Sequence, residues 1–266
     1  MKRWKFLLAI FVSLSIALLS VFYAVQNTVF ANSQIAAIPV LPGTSVNAQT
    51  QLTSFDSSKL QLSKIGIELS INPSLVIAGA KFSKYSETDK EALKLAKIIA
   101  EEWQKYDTTS IKDSGLKKIY IVNNLIVDGQ FRSGMPEPIF EDALYFDASA
   151  KYVDSEGGDY IRRTLHHEFK HLIDYNQHGS YRYEDILWLS CNTKPNVYKQ
   201  GGAAMQNNPD YAHAEHPEPG FVNGYSTSAI EEDRAEVYAL LLTNPAKLQN
   251  MAKNDASLQC KIAKLR

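Results

Sequence analysis

The chain has 266 residues, of which 45% are hydrophobic, and a formal net charge of −1. That supplies apolar material for one core-forming domain with an extension. The near-neutral balance, without a basic cluster in the body, excludes nucleic acid as an expected partner. The only cysteines are Cys191 and Cys260, too few for a cysteine zinc knuckle. In an oxidising compartment they form one disulfide; otherwise they are two buried thiols.

Lys2, Arg3 and Lys5 precede an uncharged, mostly apolar run from Phe6 to Val25, and Val29-Phe30-Ala31 offers small residues at a cleavage position. Residues 1–31 therefore read as a signal peptide cleaved after Ala31, or as a retained membrane anchor, since about 20 apolar residues span a bilayer. Either way the remainder is expected outside the cell, secreted or at its surface, with membrane contact only through this segment. Residues 32–59 are rich in Ser, Thr, Gln, Asn, Pro and Ala and read as a linker or pro-segment. Residues 60–266 form the expected folded domain.

Ile65-Gly66-Ile67-Glu68-Leu69 and Leu75-Val76-Ile77-Ala78 are candidate strands. Thr88-Asp89-Lys90-Glu91 has the pattern of a capping box. Ala92, Leu95, Ala96, Ile99, Trp103 and Tyr106 follow at helical spacing, predicting an amphipathic support helix. Lys118-Ile119-Tyr120-Ile121-Val122 and Ala143-Leu144-Tyr145-Phe146-Asp147 predict strands, the second with an open edge able to pair with an extended peptide. Asp154 to Asp159 alternates acids and glycines but lacks the full calcium-loop pattern, so it reads as a capping turn with Asp159 as N-cap.

The segment Tyr160–Tyr175 contains His167-Glu168-Phe169-Lys170-His171, an H-E-x-x-H pattern. On a helix, residues four apart share a face, so two imidazoles grip one metal ion with a carboxylate beside it. Ile161, Leu165, Phe169 and Leu172 make the apolar stripe, which leaves the two histidines on its flank, facing a cleft. His166 points away from the pair. Gln177 to Gly220 is long and polar, with Trp188 and Leu189 as anchors. His213 and His216 lie in it, more in keeping with solvated loop histidines than with ligands.

A metal centre with an open water position needs a third protein ligand. A metzincin extension fails, because Asp174 and Gln177 stand where Gly and His are required. Asp174 reads as a partner for an imidazole N–H or as a solvated acid. Ser228-Ala229-Ile230-Glu231 is a second capping box, which claims Glu231. Glu232 and Glu236 then share one helical face, so that one can bind metal while the other orients a histidine. A last helix is expected over about Pro245 to Leu265.

Tyr225-Ser226-Thr227-Ser228-Ala229-Ile230-Glu231-Glu232-Asp233-Arg234-Ala235-Glu236 resembles the second motif of the gluzincin zinc metallopeptidases that include anthrax lethal factor and the Pro-Pro endopeptidases. In that group a Tyr precedes the ligand Glu by seven residues, and here Tyr225 precedes Glu232 by seven. The resemblance covers about residues 115 to 245. It implies an α+β, zincin-like fold with a small mixed sheet, an H-E-x-x-H active-site helix and a helical C-terminal part. It implies one zinc per chain held by His167, His171 and Glu232, with Glu168 as general base and Tyr225 as donor to an oxyanion. It further implies a monomeric endopeptidase acting on protein or peptide substrates. The alternative is an exported zinc-binding interaction module that kept the scaffold without catalysis. A nucleophilic hydrolase is set aside, since no G-x-S-x-G occurs.

Overall fold

The computed structural model of the chain describes residues 54–71, 73, 79–194, 197–199, 201–205 and 208–265. The expected targeting segment 1–31, the linker up to residue 53 and the candidate strand Leu75–Ala78 lie outside the described residues. Among the described residues no helix is long and apolar enough to cross a membrane.

Helix α1 (Ser54–Ser63) starts inside the stretch expected to be linker. Phe55 and Leu62 are fully buried in the main core, so the folded part begins earlier than composition indicated. Strands β1 (Glu68–Ser70) and β2 (Ala80–Ser83) lead to α2 (Lys90–Trp103) and α3 (Thr108–Ser114). The expected capping box on α2 is absent: Asp89, not Thr88, is the N-cap, and its carboxylate accepts from the Ser86 N–H instead.

Strand β3 (Lys118–Val127) is the axis of a mixed sheet. Its first half pairs in parallel with β1 and with β6 (Ala143–Asp147), while its second half pairs antiparallel with β2 and β4 (Gln130–Phe131). Asp128 and Gly129, both with positive φ, make the two-residue turn between β3 and β4. Ile119 and Ile121 enter the main core, and Tyr120 and Val122 enter a smaller cluster on the other face, as the two-residue period of a strand requires. β5 (Gly134–Glu137) pairs antiparallel with β6 and is the outer strand. This corrects the expectation that Ala143–Asp147 has an open edge, because β6 is paired on both sides.

After the short α4 (Ala150–Val153) comes α5 (Asp159–His178), which carries the H-E-x-x-H sequence. Its N-cap is Gly158 at φ 98°, not Asp159 as expected; Asp159 is the first helical residue, where its charge suits the helix N-terminus. The stripe Ile161, Leu165, Phe169 and Leu172 is buried against Leu95, Ile99 and Trp103 of α2 and Ile121, Leu144 and Phe146 of the sheet.

The stretch from Gln177 onward is less irregular than its composition indicated. It holds the end of α5 and the short helices α6 (Ile186–Leu189), α7 (Gly202–Met205) and α8 (Pro209–Ala212). Helix α9 (Ile230–Thr243) follows. The expected last helix is two, α10 (Pro245–Ala252) and α11 (Ala256–Lys264), because Asp255 ends one turn and caps the next through the Leu258 N–H. Trp188, Val237, Leu240, Leu248, Leu258 and Ile262 form a second core here. Cys191 and Cys260 are joined as a disulfide across it.

Candidate metal centre

Helices α5 and α9 bring together two histidines four residues apart and a glutamate some 60 residues further along the chain. Nε2 of His167 and Nε2 of His171 are 3.1 Å apart. Oε2 of Glu232 stands 3.0 Å from the first and 3.3 Å from the second. Ligands about 2.1 Å from a tetrahedral zinc lie about 3.4 Å from one another, so the observed triangle fits that ion within a few tenths of an ångström. Two imidazole nitrogens and one carboxylate oxygen are also a donor set that leaves one tetrahedral position for water. Among the described residues these three form the cluster able to hold a metal.

The electrostatics are those of a buried charged knot. Burial alone raises the Glu232 carboxyl, but the two imidazoles outweigh it and hold the group well below the usual carboxylate range. Burial lowers the His167 imidazole, yet Glu232 and Glu236 more than reverse this. Glu236 lies one turn beyond Glu232, with Oε1 2.8 Å from Nδ1 of His167. Asn223 Nδ2 donates to its other oxygen at 2.6 Å and fixes the carboxylate.

Glu168 and Tyr225 line one cavity of about 410 Å³ together with His167. Burial raises the Glu168 carboxyl, and the charges of His167 and His171 partly offset it. Burial and then the Glu232 charge push the Tyr225 phenol well above its ordinary value, so it stays a donor. β5 passes close by: a Cβ on Gly134 would sit 2.9 Å from Cγ of Glu168, which explains glycine at that position.

Other expectations need correction. Asp174 is neither an imidazole partner nor solvated. It is fully buried and held by Lys170 Nζ at 2.5 Å and Arg234 Nε at 3.0 Å. The capping box before α9 is not formed. Ala229 is the N-cap and makes no side-chain cap bond, while Glu231 pairs with Arg182 at 3.0 Å. His166 points away from the pair as expected, buried on the far side of α5 between Tyr106 and Glu102. His216 pairs with Asp255 at 2.9 Å, and His213 lines the cavity without joining the metal cluster. Leu189 is half-buried, and Trp188 is the anchor, donating from Nε1 to Asp233 at 2.8 Å.

Three features escaped the sequence reading. Gly202 of α7 is buried so tightly that a Cβ there would lie 2.4 Å from both Oε1 of Glu232 and Oη of Tyr225. Backbone bonds from Lys199 N to Thr227 O and from Gly201 N to Ser228 O, each 3.0 Å, hold this segment against the approach to α9. The ring of Tyr181 packs edge-on against His171, with centroids 5.9 Å apart. Arg132 stands on the cavity wall. Nothing in local spacing signals any of the three, because each depends on a contact between distant segments.

A search of curated proteins found no match. Among solved structures, the chain resembles a "putative zinc-binding metallo-peptidase from Bacteroides caccae ATCC 43185", with 20% identity, a TM-score of 0.50, and coverage of 80% of this chain and 81% of that one. At that identity the likeness is one of fold. A family profile described as "Putative zinc-binding metallo-peptidase" matches residues 96–264, more than half of the chain and the run from within α2 to the end of α11 that carries the cluster. The chain therefore belongs to that zinc-binding metallo-peptidase family.

Proposed function

We propose that this chain is an exported zinc endopeptidase of the gluzincin kind. One observation carries the reading: the 3.0–3.3 Å triangle of His167, His171 and Glu232, with Glu168 and Tyr225 on the same cavity wall. His167, His171 and Glu232 would hold one zinc. When bound, zinc lowers the pKa of water to about 7 and polarises a peptide carbonyl. Glu168 accepts the proton of the attacking water and passes it to the leaving amine. Its raised carboxyl suits both steps. The Tyr225 phenol donates to the oxyanion that develops on the substrate carbon, and loss of one such donor typically costs about 2.7–4 kcal/mol in the barrier. Glu236 holds His167 in the tautomer that leaves Nε2 free. The outer strand β5, running past Glu168, offers its unpaired side to an extended substrate. The Cys191–Cys260 disulfide suits an oxidising compartment and so supports export.

The closeness of Gly202 to Tyr225 and Glu232 favours one second reading, an exported module in which α7 closes the centre and zinc is only structural. Zinc analysis by mass spectrometry and a peptide-library digest separate the two. The purified protein should hold one zinc and cleave peptides. His167→Ala and Glu232→Ala should lose the metal. Glu168→Gln should keep the metal and lose turnover, and Tyr225→Phe should keep the metal with turnover lowered about 10²–10³-fold. A zinc-free parent, or full activity in Glu168→Gln, overturns the peptidase mechanism. Zinc-loaded protein inert on every library supports the module.

A further inference from the structure

The cavity beside Glu168 carries three cations on its wall: Arg132, Arg163 and Lys247. Two are already matched. Arg163 pairs with Glu156 at 3.0 Å, and Lys247 pairs with Glu215. Arg132 differs. Its Nη2 donates to the neutral Gln130 Oε1 at 2.9 Å, and among the described residues no carboxylate forms an ion pair with it. A guanidinium has five donors in a rigid fork, so most of the Arg132 fork is left for the cavity.

The backbone places that fork near the chemistry. Residues 131–134 run alongside the sheet, with Arg132 N bonded to Leu125 O at 2.9 Å and Asp147 N bonded to Ser133 O at 3.0 Å. A Cβ at Gly134 would meet Cγ of Glu168 at 2.9 Å. Arg132 lies two residues upstream, across a bend at Ser133. Arg132, Glu168 and Tyr225 line the same cavity. Tyr152 and Tyr160, stacked at 6.0 Å, give the same cavity an apolar wall that suits the methylenes of a side chain.

Resting on the peptidase reading above, we propose that Arg132 anchors a carboxylate subsite: the preferred substrate carries a carboxylate, from an acidic side chain or a free C-terminus, within one or two residues of the scissile bond. The planar fork takes a carboxylate bidentately, a geometry that lysine or the matched cations of this cavity do not offer. The acids on the wall do not argue for a basic substrate: Glu156, Glu215 and Glu236 pair with Arg163, Lys247 and His167, and Glu168 is kept for the proton of the attacking water.

Fluorescence anisotropy of the zinc-loaded full chain carrying Glu168→Gln tests this without turnover. Three peptide sets are compared: amidated with an internal Glu or Asp, amidated with Gln or Asn there, and neutral with a free C-terminus. At least one carboxylate set should bind about tenfold tighter than the neutral set. Which set it is identifies the source of the carboxylate. Adding Arg132→Met should erase the preference with zinc content unchanged, and Arg132→Glu should shift it toward Lys-containing peptides. Equal binding of all sets, no binding of any, or a preference that survives Arg132→Met overturns the subsite. If the parent cleaves peptides with no carboxylate preference, the subsite fails and the peptidase stands. If the parent cleaves nothing yet binds carboxylate peptides through Arg132, the subsite stands and the peptidase reading falls.

Discussion

Oε1 of Glu236 stands 2.8 Å from Nδ1 of His167, the ring nitrogen that does not face Glu232. That contact assigns unequal tasks to two glutamates one helical turn apart. Glu232 meets both Nε2 atoms, whereas Glu236 meets only the back of one ring. A carboxylate behind a metal-binding imidazole fixes its tautomer and orientation, and removing it typically weakens metal binding 10–100-fold. Glu236→Ala should therefore bind zinc about 10–100-fold more weakly in competition with a chelator, while Glu232→Ala should lose it altogether. Loss of zinc in Glu236→Ala together with retention in Glu232→Ala would reverse the two assignments.

Gly202→Ala should damage the centre from outside the motifs. The added Cβ would meet Oε1 of Glu232 and Oη of Tyr225 at 2.4 Å, so either α7 lifts away or those side chains shift. Forced overpacking of this kind costs about 1–3 kcal/mol. Both a lower melting temperature and weaker zinc binding are expected. An alanine variant with the parent's melting curve and zinc affinity would show that α7 does not press on the centre.

Much of the centre was legible because it lies in local periodicity. The Ile161, Leu165, Phe169, Leu172 stripe placed α5 on the core, and the four-residue spacing of His167 and His171 put them on its flank. The second half came not from periodicity, which left Glu232 and Glu236 open, but from the resemblance of the Tyr225–Glu236 segment to the gluzincin motif. What stayed hidden depends on distant partners. Asp174 is a buried acid because Arg234, 60 residues later, reaches it. β6 has no open edge because β5 turns back onto it. The helix caps were misplaced by one residue before α2, α5 and α9, since backbone geometry at Asp89, Gly158 and Ala229, rather than the side-chain pattern, decides where each helix starts.

The Cys191–Cys260 bridge should stabilise the half of the molecule that carries Glu232. It closes a sequence separation of 69 residues that contains α7, α8, Tyr225 and α9. In the chain-entropy view a loop of that size contributes about 4 kcal/mol. Next to it Lys261, fully buried, holds Asp233 at 2.7 Å and donates to Gly220 O at 2.8 Å, so α11 is tied covalently to Cys191 and by charge to the residue after Glu232. Urea unfolding with and without reductant should show a clear loss of stability on reduction. A Cys191→Ser/Cys260→Ser variant should start from the lower value and ignore reductant. A parent indifferent to reductant would mean that the two sulfurs are not bonded.

Acid should unfold the protein through a network that is not part of the centre. Glu102 is buried beneath α5, where His166 Nε2 lies 2.7 Å away, Lys105 Nζ donates at 2.5 Å and Arg162 also donates to it. Burial raises its carboxyl, but these partners prevail and hold it at about 2, against an ordinary 4.5. In the unfolded chain Glu102 takes up its proton near 4.5; in the folded chain it does so only near 2. Its contribution is thus complete above about pH 4.5 and is lost as pH falls toward 2. His166 acts in the same direction. Burial lowers it below 6.5 despite Glu102, so between 6.5 and its folded value the unfolded chain binds the extra proton, and stability declines as pH drops through that window. With zinc removed by chelator, so that metal release does not add to the slope, stability should fall from pH 6.5 downward and again below pH 4.5. Glu102→Gln should lose about 1–3 kcal/mol at pH 7, because Lys105 and Arg162 lose an ion-pair partner and the buried His166 loses its carboxylate. It should also show a flatter profile below pH 4.5. Parallel parent and variant profiles across that range would assign the acid sensitivity to other carboxylates.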